Sequence, residues 1–166
     1  MRLILIFIVL MSHFLYAEQN DFTQPITIKS VSQFVDGLND VAVYKDNVVI
    51  TQGSLNITAD EVRIDASAGD GNEVFIALGK PASFEQRLQD GSLVRATANE
   101  VRYTRVNKKI NLAGSAQLAQ NSSTVTGENI IFDMLNEQLI ASGTDGDSGR
   151  VKAVFQAEQA LNKEEQ

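Results

Sequence analysis

Thr58–Ile64 reads TADEVRI, and 39 residues later Thr97–Tyr103 reads TANEVRY. A looser copy, TGENIIF, follows after another 29 residues at Thr126–Phe132. A degenerate early copy, IKSVSQFVD at Ile28–Asp36, aligns with ITADEVRID at Ile57–Asp65. The repeat is irregular, but a period of this size predicts supersecondary units that stack and bury one another's apolar faces.

The apolar residues change parity in the middle of each copy. In the first copy, Leu55, Ile57 and Ala59 share one parity, and Val62 and Ile64 share the other. A regular strand with this pattern would turn its apolar side chains to opposite faces. A bend or bulge at Asp60–Glu61 keeps them on one face, and the same switch falls at Asn99–Glu100 and Glu128–Asn129. Stacked corners predict two walls of sheet that meet at a crease.

The rest of the chain also consists of short β-type runs, separated by Gly, Asn and Asp every 8–12 residues. Helical periodicity occurs only in the last dozen residues, so the fold class is predicted to be all-β. The positions expected to face inward are Ile26, Ile28, Val48, Ile50, Ile57, Ile64, Phe84, Val101, Tyr103, Leu112, Leu118, Ile130 and Phe132. Their neighbours, such as Arg63, Arg102 and Asn111, are polar, as a solvated outer face requires. Periodicity alone does not distinguish an open groove from a dry sandwich core.

The N-terminus has the pattern of a signal peptide over residues 1–17. A basic residue precedes the apolar run Leu3–Met11, and Ala17 is a small residue at a plausible cleavage point. A retained anchor is the alternative, but a membrane span needs about 20 apolar residues. We therefore expect one secreted domain over residues 18–155, followed by a weakly ordered tail over residues 156–166.

Composition excludes several classes of function. The net charge is −7, and an acidic chain without a basic stripe is a poor candidate for binding nucleic acid. The chain has no cysteine, and its single histidine, His13, lies in the predicted leader. Nucleophile–base pairs and the common zinc sites are therefore nearly excluded. We expect no enzymatic activity, no metal and no cofactor.

Four segments resemble the LptA/OstA family: QPITI at Gln24–Ile28, NVVITQG at Asn47–Gly53, ADEV at Ala59–Val62 and GKPASF at Gly79–Phe84. They occur together in the expected order, and the resemblance extends from about Gln24 to Val154. It implies a semi-open, twisted antiparallel β-jelly roll, or β-taco, of about 16 short strands. This fold matches the creased sheet and implies a groove rather than a sealed core.

The resemblance also implies a function and partners. Family members carry lipopolysaccharide through the periplasm from the inner to the outer membrane, with its acyl chains in an apolar groove. They stack head to tail between an inner-membrane-anchored partner, here expected at the N-terminal edge, and an outer-membrane translocon at the C-terminal edge. The expected groove residues are Ile26, Ile28, Val48, Ile50, Ile57, Ile64, Phe84, Val101, Tyr103, Leu118 and Phe132. Arg105 departs from the pattern, because an apolar residue is expected there.

Three interpretations remain open at this stage. A membrane-anchored family relative and a structural β-repeat protein with a dry core are the alternatives to a soluble carrier.

The docking edges are expected near Thr23–Lys29 and Gly149–Phe155, where exposed strands can recruit a further strand. Residues Arg150–Ala160 fit either an edge strand or a short amphipathic helix, and we favour the strand. Lys80, Arg63 and Arg102 are candidates for contact with an anionic head group.

Overall fold

Alternation of apolar and polar residues produces one antiparallel sheet of ten strands in the part of the chain that the computed structural model describes, residues 21–146 and 149–155. The strands are β1 Thr27–Lys29, β2 Ser32–Asp36, β3 Val41–Gln52, β4 Leu55–Asp65, β5 Val74–Arg87, β6 Leu93–Thr104, β7 Lys109–Gln120, β8 Ser123–Asp133, β9 Gln138–Ser142 and β10 Lys152–Phe155. A 3-10 helix at Asp21–Thr23 precedes β1. The predicted signal peptide and the predicted tail lie outside the described residues.

The sheet has two short strands at each edge. Strands β3 to β8 each pair with the next strand in sequence. At one edge β1 and β2 pair with different halves of β3, and at the other edge β9 and β10 pair with different halves of β8. The predicted first edge at Thr23–Lys29 therefore contains β1, and β2 belongs to the same edge. The strand interpretation of the C-terminal segment is confirmed at Lys152–Phe155, whereas residues 156–160 lie outside the described part.

Each pairing between β3 and β8 contains one register shift. The shifts fall between Lys45 and Val48, Thr58 and Glu61, Leu78 and Ala82, Thr97 and Glu100, and Ala113 and Ala116. In β8 the corresponding step is from Gly127 to Asn129. We call this row of shifts the crease. The three corners predicted from parity, at residues 60–61, 99–100 and 128–129, all fall on it.

The degenerate copy at Ile28–Asp36 follows the same geometry as Ile57–Asp65. Ser32 and Glu61 both lie opposite Lys45. Strands β1 and β2 thus correspond to the two halves of one bent strand. The predicted all-β, open β-jelly-roll class is confirmed. Counting the halves of the six bent strands β3 to β8 separately raises the ten strands to the sixteen short ones expected.

Candidate functional site

The crease divides the sheet into two walls. The first wall consists of residues 41–45, 61–65, 74–78, 100–104, 109–113 and 129–133, with β2 and β9 at its edges. The second wall consists of residues 48–52, 55–58, 82–87, 93–97, 116–120 and 123–127, with β1 and β10 at its edges. We call the space between the walls the cleft, and its side opposite the crease, where the turns lie, the mouth.

Each wall carries one apolar row that crosses the whole sheet on the inner face, because directly opposite residues in neighbouring strands point to the same side. The row of the second wall is Ile28, Ile50, Ile57, Phe84, Ala96, Leu118, Val125 and Ala153. The row of the first wall is Val35, Ala42, Ile64, Phe75, Tyr103, Ile110, Phe132 and Leu139. At about 4.8 Å between strands, each row is about 34 Å long.

All eleven residues predicted to line the groove lie in or against one apolar cluster. Eight of them are buried, none more than 3% exposed: Val48, Ile50, Ile57, Phe84, Val101, Tyr103, Leu118 and Phe132. Ile26, Ile28 and Ile64 are half-buried and pack against the cluster. The side chains of the two walls therefore fill most of the cleft themselves. Periodicity left an open groove and a dry core as alternatives. In this conformation the space between the walls is a filled core that opens at its mouth.

Several buried inner-face residues were missing from the predicted groove lining. They include Leu55, Val62, Phe75, Ala77, Ala96 and Ile110. A signal for them existed, because Val62 has the parity of Ile64, and Phe75 alternates with Ala77 along β5. Applying the parity rule to every strand, rather than to the best copies alone, would have found them.

Two cavities lie at the mouth, between the ends of the walls. The first, of about 420 Å³, is lined by Asp21, Phe22, Ser54, Gln86, Arg87, Leu88, Gln89, Met134, Leu135 and Glu137. The second, of about 470 Å³, is lined by Thr23, Gln24, Pro25, Ile26, Ile28, Ile64, Glu73, Phe75 and Arg105. Both have an apolar side continuous with the cluster and a polar rim, which suits an amphipathic ligand.

The segment Asp21–Pro25, which we call the strap, contributes residues to both cavities. The Nε2 atom of Gln52 donates hydrogen bonds to the carbonyl oxygens of Phe22 and Gln24, at 3.2 and 3.0 Å. The Ser54 hydroxyl donates to the Asp21 carboxylate. The strap is thus held to the second wall through the turn between β3 and β4.

Contacts with the first wall complete the position of the strap. Lys108 Nζ lies 4.8 Å from the centroid of the Phe22 ring, a distance at which a cation is attracted to an aromatic face. The same Nζ donates to the carbonyl oxygen of Arg105 at 2.6 Å. Burial and the Arg105 charge lower the pKa of Lys108, and the Glu73 carboxylate opposes them. The strap therefore spans the mouth from one wall to the other.

Arg105, the residue that departs from the family pattern, forms an ion pair at the rim of the second cavity. Its Nη1 atom lies 3.1 Å from both carboxylate oxygens of Glu73. Burial by itself would raise the pKa of Glu73. Hydrogen bonds from the backbone of Glu73 and Gly71, and then the Arg105 guanidinium, more than offset this effect, and the pKa is lowered. The pair neutralises a charge that would otherwise lie beside the apolar row.

Three buried side-chain oxygens at the mouth ends of the walls have no hydrogen-bond partner among the described residues: Gln52 Oε1, Gln86 Oε1 and the Tyr103 hydroxyl. Burial raises the pKa of Tyr103 to about 12, although the Arg105 charge opposes the shift. These atoms leave hydrogen-bonding capacity unused where the cleft opens.

None of the three cations suggested for a head group lines either mouth cavity. Lys80 follows Leu78 at the crease. Arg63 and Arg102 belong to the outer-face row of the first wall, and Arg102 forms an ion pair with Glu100 at 3.2 Å. The basic residues that do line the cavities are Arg87 and Arg105. The sequence marked Arg105 as a departure from the family pattern and did not single out Arg87.

Two negative findings concern only the described residues. Across residues 21–146 and 149–155, no group of three or more His, Cys, Asp or Glu side chains is placed to hold a metal ion. In the same part of the chain, no helix has the length and hydropathy needed to cross a membrane.

Comparison with known proteins agrees with this architecture. Residues 27–138 match the family model described as LptA/(LptD N-terminal domain) LPS transport protein. The lipopolysaccharide export system protein LptA of Haemophilus influenzae is 39% identical over 160 residues, which cover 93% of this chain and 92% of that protein. LptA of Escherichia coli K12 is 34% identical over 131 residues, covering 78% of this chain and 70% of its own length.

A solved structure has the same fold. The crystal structure of LptH, described as the LptA-homologous periplasmic component of the lipopolysaccharide transport device of Pseudomonas aeruginosa, superposes with a TM-score of 0.75 at 29% identity. The match covers 82% of this chain and 99% of LptH. The chain therefore belongs to the family of LptA and LptD N-terminal-domain lipopolysaccharide transport proteins.

Proposed function

We propose that this chain is a periplasmic carrier that holds the acyl chains of lipopolysaccharide between its two walls during transport from the inner to the outer membrane. The observation that supports this proposal is the pair of apolar rows that cross the sheet from edge to edge. We assign lipid contact to the eleven groove residues named from the sequence. A binding role without catalysis is consistent with the relatives, which are named export and transport proteins.

The free energy of burying an acyl chain allows the chain to slide along the cleft. Burial of an acyl chain is worth about 0.8 kcal/mol per methylene, and this gain is non-directional. When lipid enters, contacts between the walls are exchanged for contacts with the acyl chain, so apolar surface stays buried in both states. Apart from the Tyr103 hydroxyl, the two rows carry no polar side-chain group at which the chain would be trapped. The phosphorylated sugar head remains outside, at the mouth.

The directions of the edge strands support head-to-tail assembly. In the first wall, β2 runs from crease to mouth and β9 from mouth to crease. In the second wall, β1 runs from mouth to crease and β10 from crease to mouth. A second copy with β2 beside β9 and β1 beside β10 therefore makes antiparallel pairs in both walls at once. Its apolar rows continue those of the first copy.

Joining identical edges would not have this result. If β9 of two copies paired in antiparallel fashion, the crease of one copy would lie beside the mouth of the other. The rows would then be interrupted at the junction. Only the heterologous arrangement keeps the cleft continuous, and such an interface extends into an open filament. We assign the N-terminal edge to the inner-membrane-anchored partner and the C-terminal edge to the outer-membrane translocon.

The export route and domain limits belong to the same proposal. We propose that residues 1–17 are removed during secretion, that residues 18–155 form the carrier domain, and that residues 156–166 are a tail. Mass spectrometry of the N-terminus of the secreted protein tests the first point. A retained leader would favour the membrane-anchored alternative.

Photo-crosslinking from adjacent positions tests the cargo. A photoreactive residue at Ile64 or Tyr103 points into the cleft, and one at Arg63 or Arg102 points out of the same strands. We expect lipopolysaccharide to be labelled from the first two positions and not from the second two. Equal labelling from both faces, or none from the inner face, would contradict the carrier.

The structural-repeat alternative has one observation in its favour, the eight predicted groove residues that are buried within the cluster. It predicts a protein that assembles end to end yet takes up no lipid. Co-purification of lipopolysaccharide after detergent-free extraction separates the two functions.

A further inference from the structure

We propose that the strap, Asp21–Pro25, is a gate that the acyl chains displace when they enter the cleft. The proposal rests on the carrier function above and adds the place and the moving part of loading. The strap lines both mouth cavities, with Phe22 in the first and Thr23, Gln24 and Pro25 in the second. It thus separates two spaces that would otherwise adjoin along the mouth.

The strap blocks a route to the apolar interior. The Phe22 side chain packs against the apolar cluster. Ile28 and Ile64, one from each inner row, line the second cavity, and Leu88 and Met134, both in the cluster, line the first. Removal of the strap would leave one opening with apolar residues of both walls on its sides. An acyl chain could then occupy the volume that the Phe22 ring occupies in this conformation.

The strap is held in place by specific groups of the protein rather than by general packing. Gln52 is 1% exposed, and its amide nitrogen donates to two carbonyl oxygens of the strap backbone, those of Phe22 and Gln24. Gly53 has a φ of +58°, and a Cβ atom there would lie 2.9 Å from Cα of Asp21. The chain therefore needs glycine at this position for the strap to approach so closely.

The strap is nevertheless held more weakly than the strands it covers. Among the described residues, strand pairing starts at Thr27, after the strap. The side chains of Gln52, Ser54 and Lys108 contact the strap, and within it the Gln24 amide donates to the Asp21 carbonyl oxygen. Thr23 and Pro25 are exposed. Segments with few backbone ladder bonds open at lower free energy than the sheet. The strap can therefore detach from the mouth while the two walls stay folded.

A disulfide that closes the gate tests the proposal directly. Asp21 and Ser54 are in hydrogen-bond contact, and the chain has no cysteine of its own. The double variant Asp21→Cys/Ser54→Cys can therefore form only one disulfide. Thr58→Cys/Ser83→Cys is the matched control, because these side chains meet at 2.6 Å across β4 and β5, away from the mouth. Disulfide formation in each variant is verified by mass spectrometry.

The readout is uptake of fluorescent lipopolysaccharide by the purified full chain, oxidised and reduced. With the gate closed, we expect loading to fall about tenfold or more and to recover on reduction, since only the open fraction is competent to bind. The control should load equally in both states. Gln52→Leu, which removes both hydrogen bonds to the strap backbone, should load about fivefold faster.

The outcomes separate this proposal from the carrier function. Equal loading by the oxidised and reduced gate variant, together with an unchanged rate in Gln52→Leu, overturns the gate and leaves the carrier intact. If the wild-type chain and the reduced variants take up no lipid, the carrier function fails, and the gate fails with it.

Discussion

The rings of Phe75 and Tyr103 stack with centroids 5.9 Å apart and an interplanar angle of 29°. The two residues lie directly opposite each other in β5 and β6, in the inner row of the first wall. The stack holds the Tyr103 hydroxyl in the apolar cluster, where it has no hydrogen-bond partner among the described residues. An unpaired buried hydroxyl costs stability, whereas the ring itself contributes to packing.

Tyr103→Phe is therefore expected to stabilise the fold. The change removes the unpaired hydroxyl and keeps the stacked ring, and the gain should be about 1 kcal/mol. Urea unfolding followed by circular dichroism measures the free energy of unfolding. Tyr103→Ala is the contrasting variant, which should lose about 3–5 kcal/mol through the cavity it leaves. A destabilised Tyr103→Phe would mean that the hydroxyl has a partner in solution.

The same hydroxyl predicts a loss of stability at high pH. The folded pKa of Tyr103 is raised from 10.0 to about 12, so between these values the unfolded chain releases a proton that the folded chain keeps. Stability from this group is complete below pH 10 and falls as the pH rises towards 12, by at most about 3 kcal/mol. Comparison of unfolding curves for wild type and Tyr103→Phe at pH 9 to 11.5 isolates this contribution, which the variant should lack.

The ion pair of Glu73 and Arg105 predicts a change at low pH. Because the folded pKa of Glu73 is lowered, its contribution is present above the unfolded value of 4.5 and is lost as the pH falls through the folded pKa. Arg105→Met should shift acid unfolding to higher pH and raise the Glu73 pKa in an NMR titration. Arg95→Met removes a more exposed pair with Glu85 and should cost at most about 1 kcal/mol. If Arg105→Met and Arg95→Met shifted acid unfolding equally, the larger contribution assigned to the Glu73–Arg105 pair would be contradicted.

Gly79 is predicted to be required at the crease. A Cβ atom at this position would lie 2.6 Å from the backbone nitrogen of Ala82, beside the register shift of β5. Gly79→Ala should therefore destabilise the fold by about 2–3 kcal/mol, because backbone atoms must move. At Gly37 an added Cβ meets nothing within 4 Å, so Gly37→Ala should be nearly neutral. Chemical denaturation measures the free energy of unfolding of both variants.

Assembly through unlike edges predicts a complementation experiment. Phe34 and Ile140, 62% and 66% exposed, occupy the same outer-face row at opposite edges. Phe34→Lys and Ile140→Glu should each be monomeric, since repeated self-pairing would bury one charge against an apolar side chain. A mixture should form alternating filaments, in which the new charges face each other across β2 and β9 at one kind of junction and Phe34 meets Ile140 at the other. Sedimentation velocity distinguishes these species, and filaments of either variant alone would exclude this interface.

Much of the fold could be predicted because its signals are local. The parity switch at Asp60–Glu61 lies within one strand, and it indicated the crease before any pairing was known. The alignment of Ile28–Asp36 with Ile57–Asp65 is also local, and both segments lie opposite β3 in the same register. Each of these features depends on which face a side chain occupies, and the sequence pattern records that directly.

No local sequence pattern indicates the distance between the two walls. Whether Phe84 and Tyr103 meet each other or a ligand depends on how sharply the crease bends, so sequence patterns could not decide between a groove and a filled core. The hydrogen bonds of Gln52 to Phe22 and Gln24 join residues about 30 positions apart. The pairing of Arg105 with Glu73 joins residues 32 positions apart. Nothing near either residue indicates these contacts.

The alternating directions of the strands along the crease restrict how such a protein can change length during evolution. Gain or loss of one hairpin, which adds or removes two bent strands, leaves both end strands pointing as before. Gain or loss of a single bent strand reverses one end, so neighbouring molecules could no longer join with their openings aligned. We infer that longer and shorter relatives that still polymerise differ by whole hairpins, and that an odd difference marks a molecule that terminates the chain of carriers.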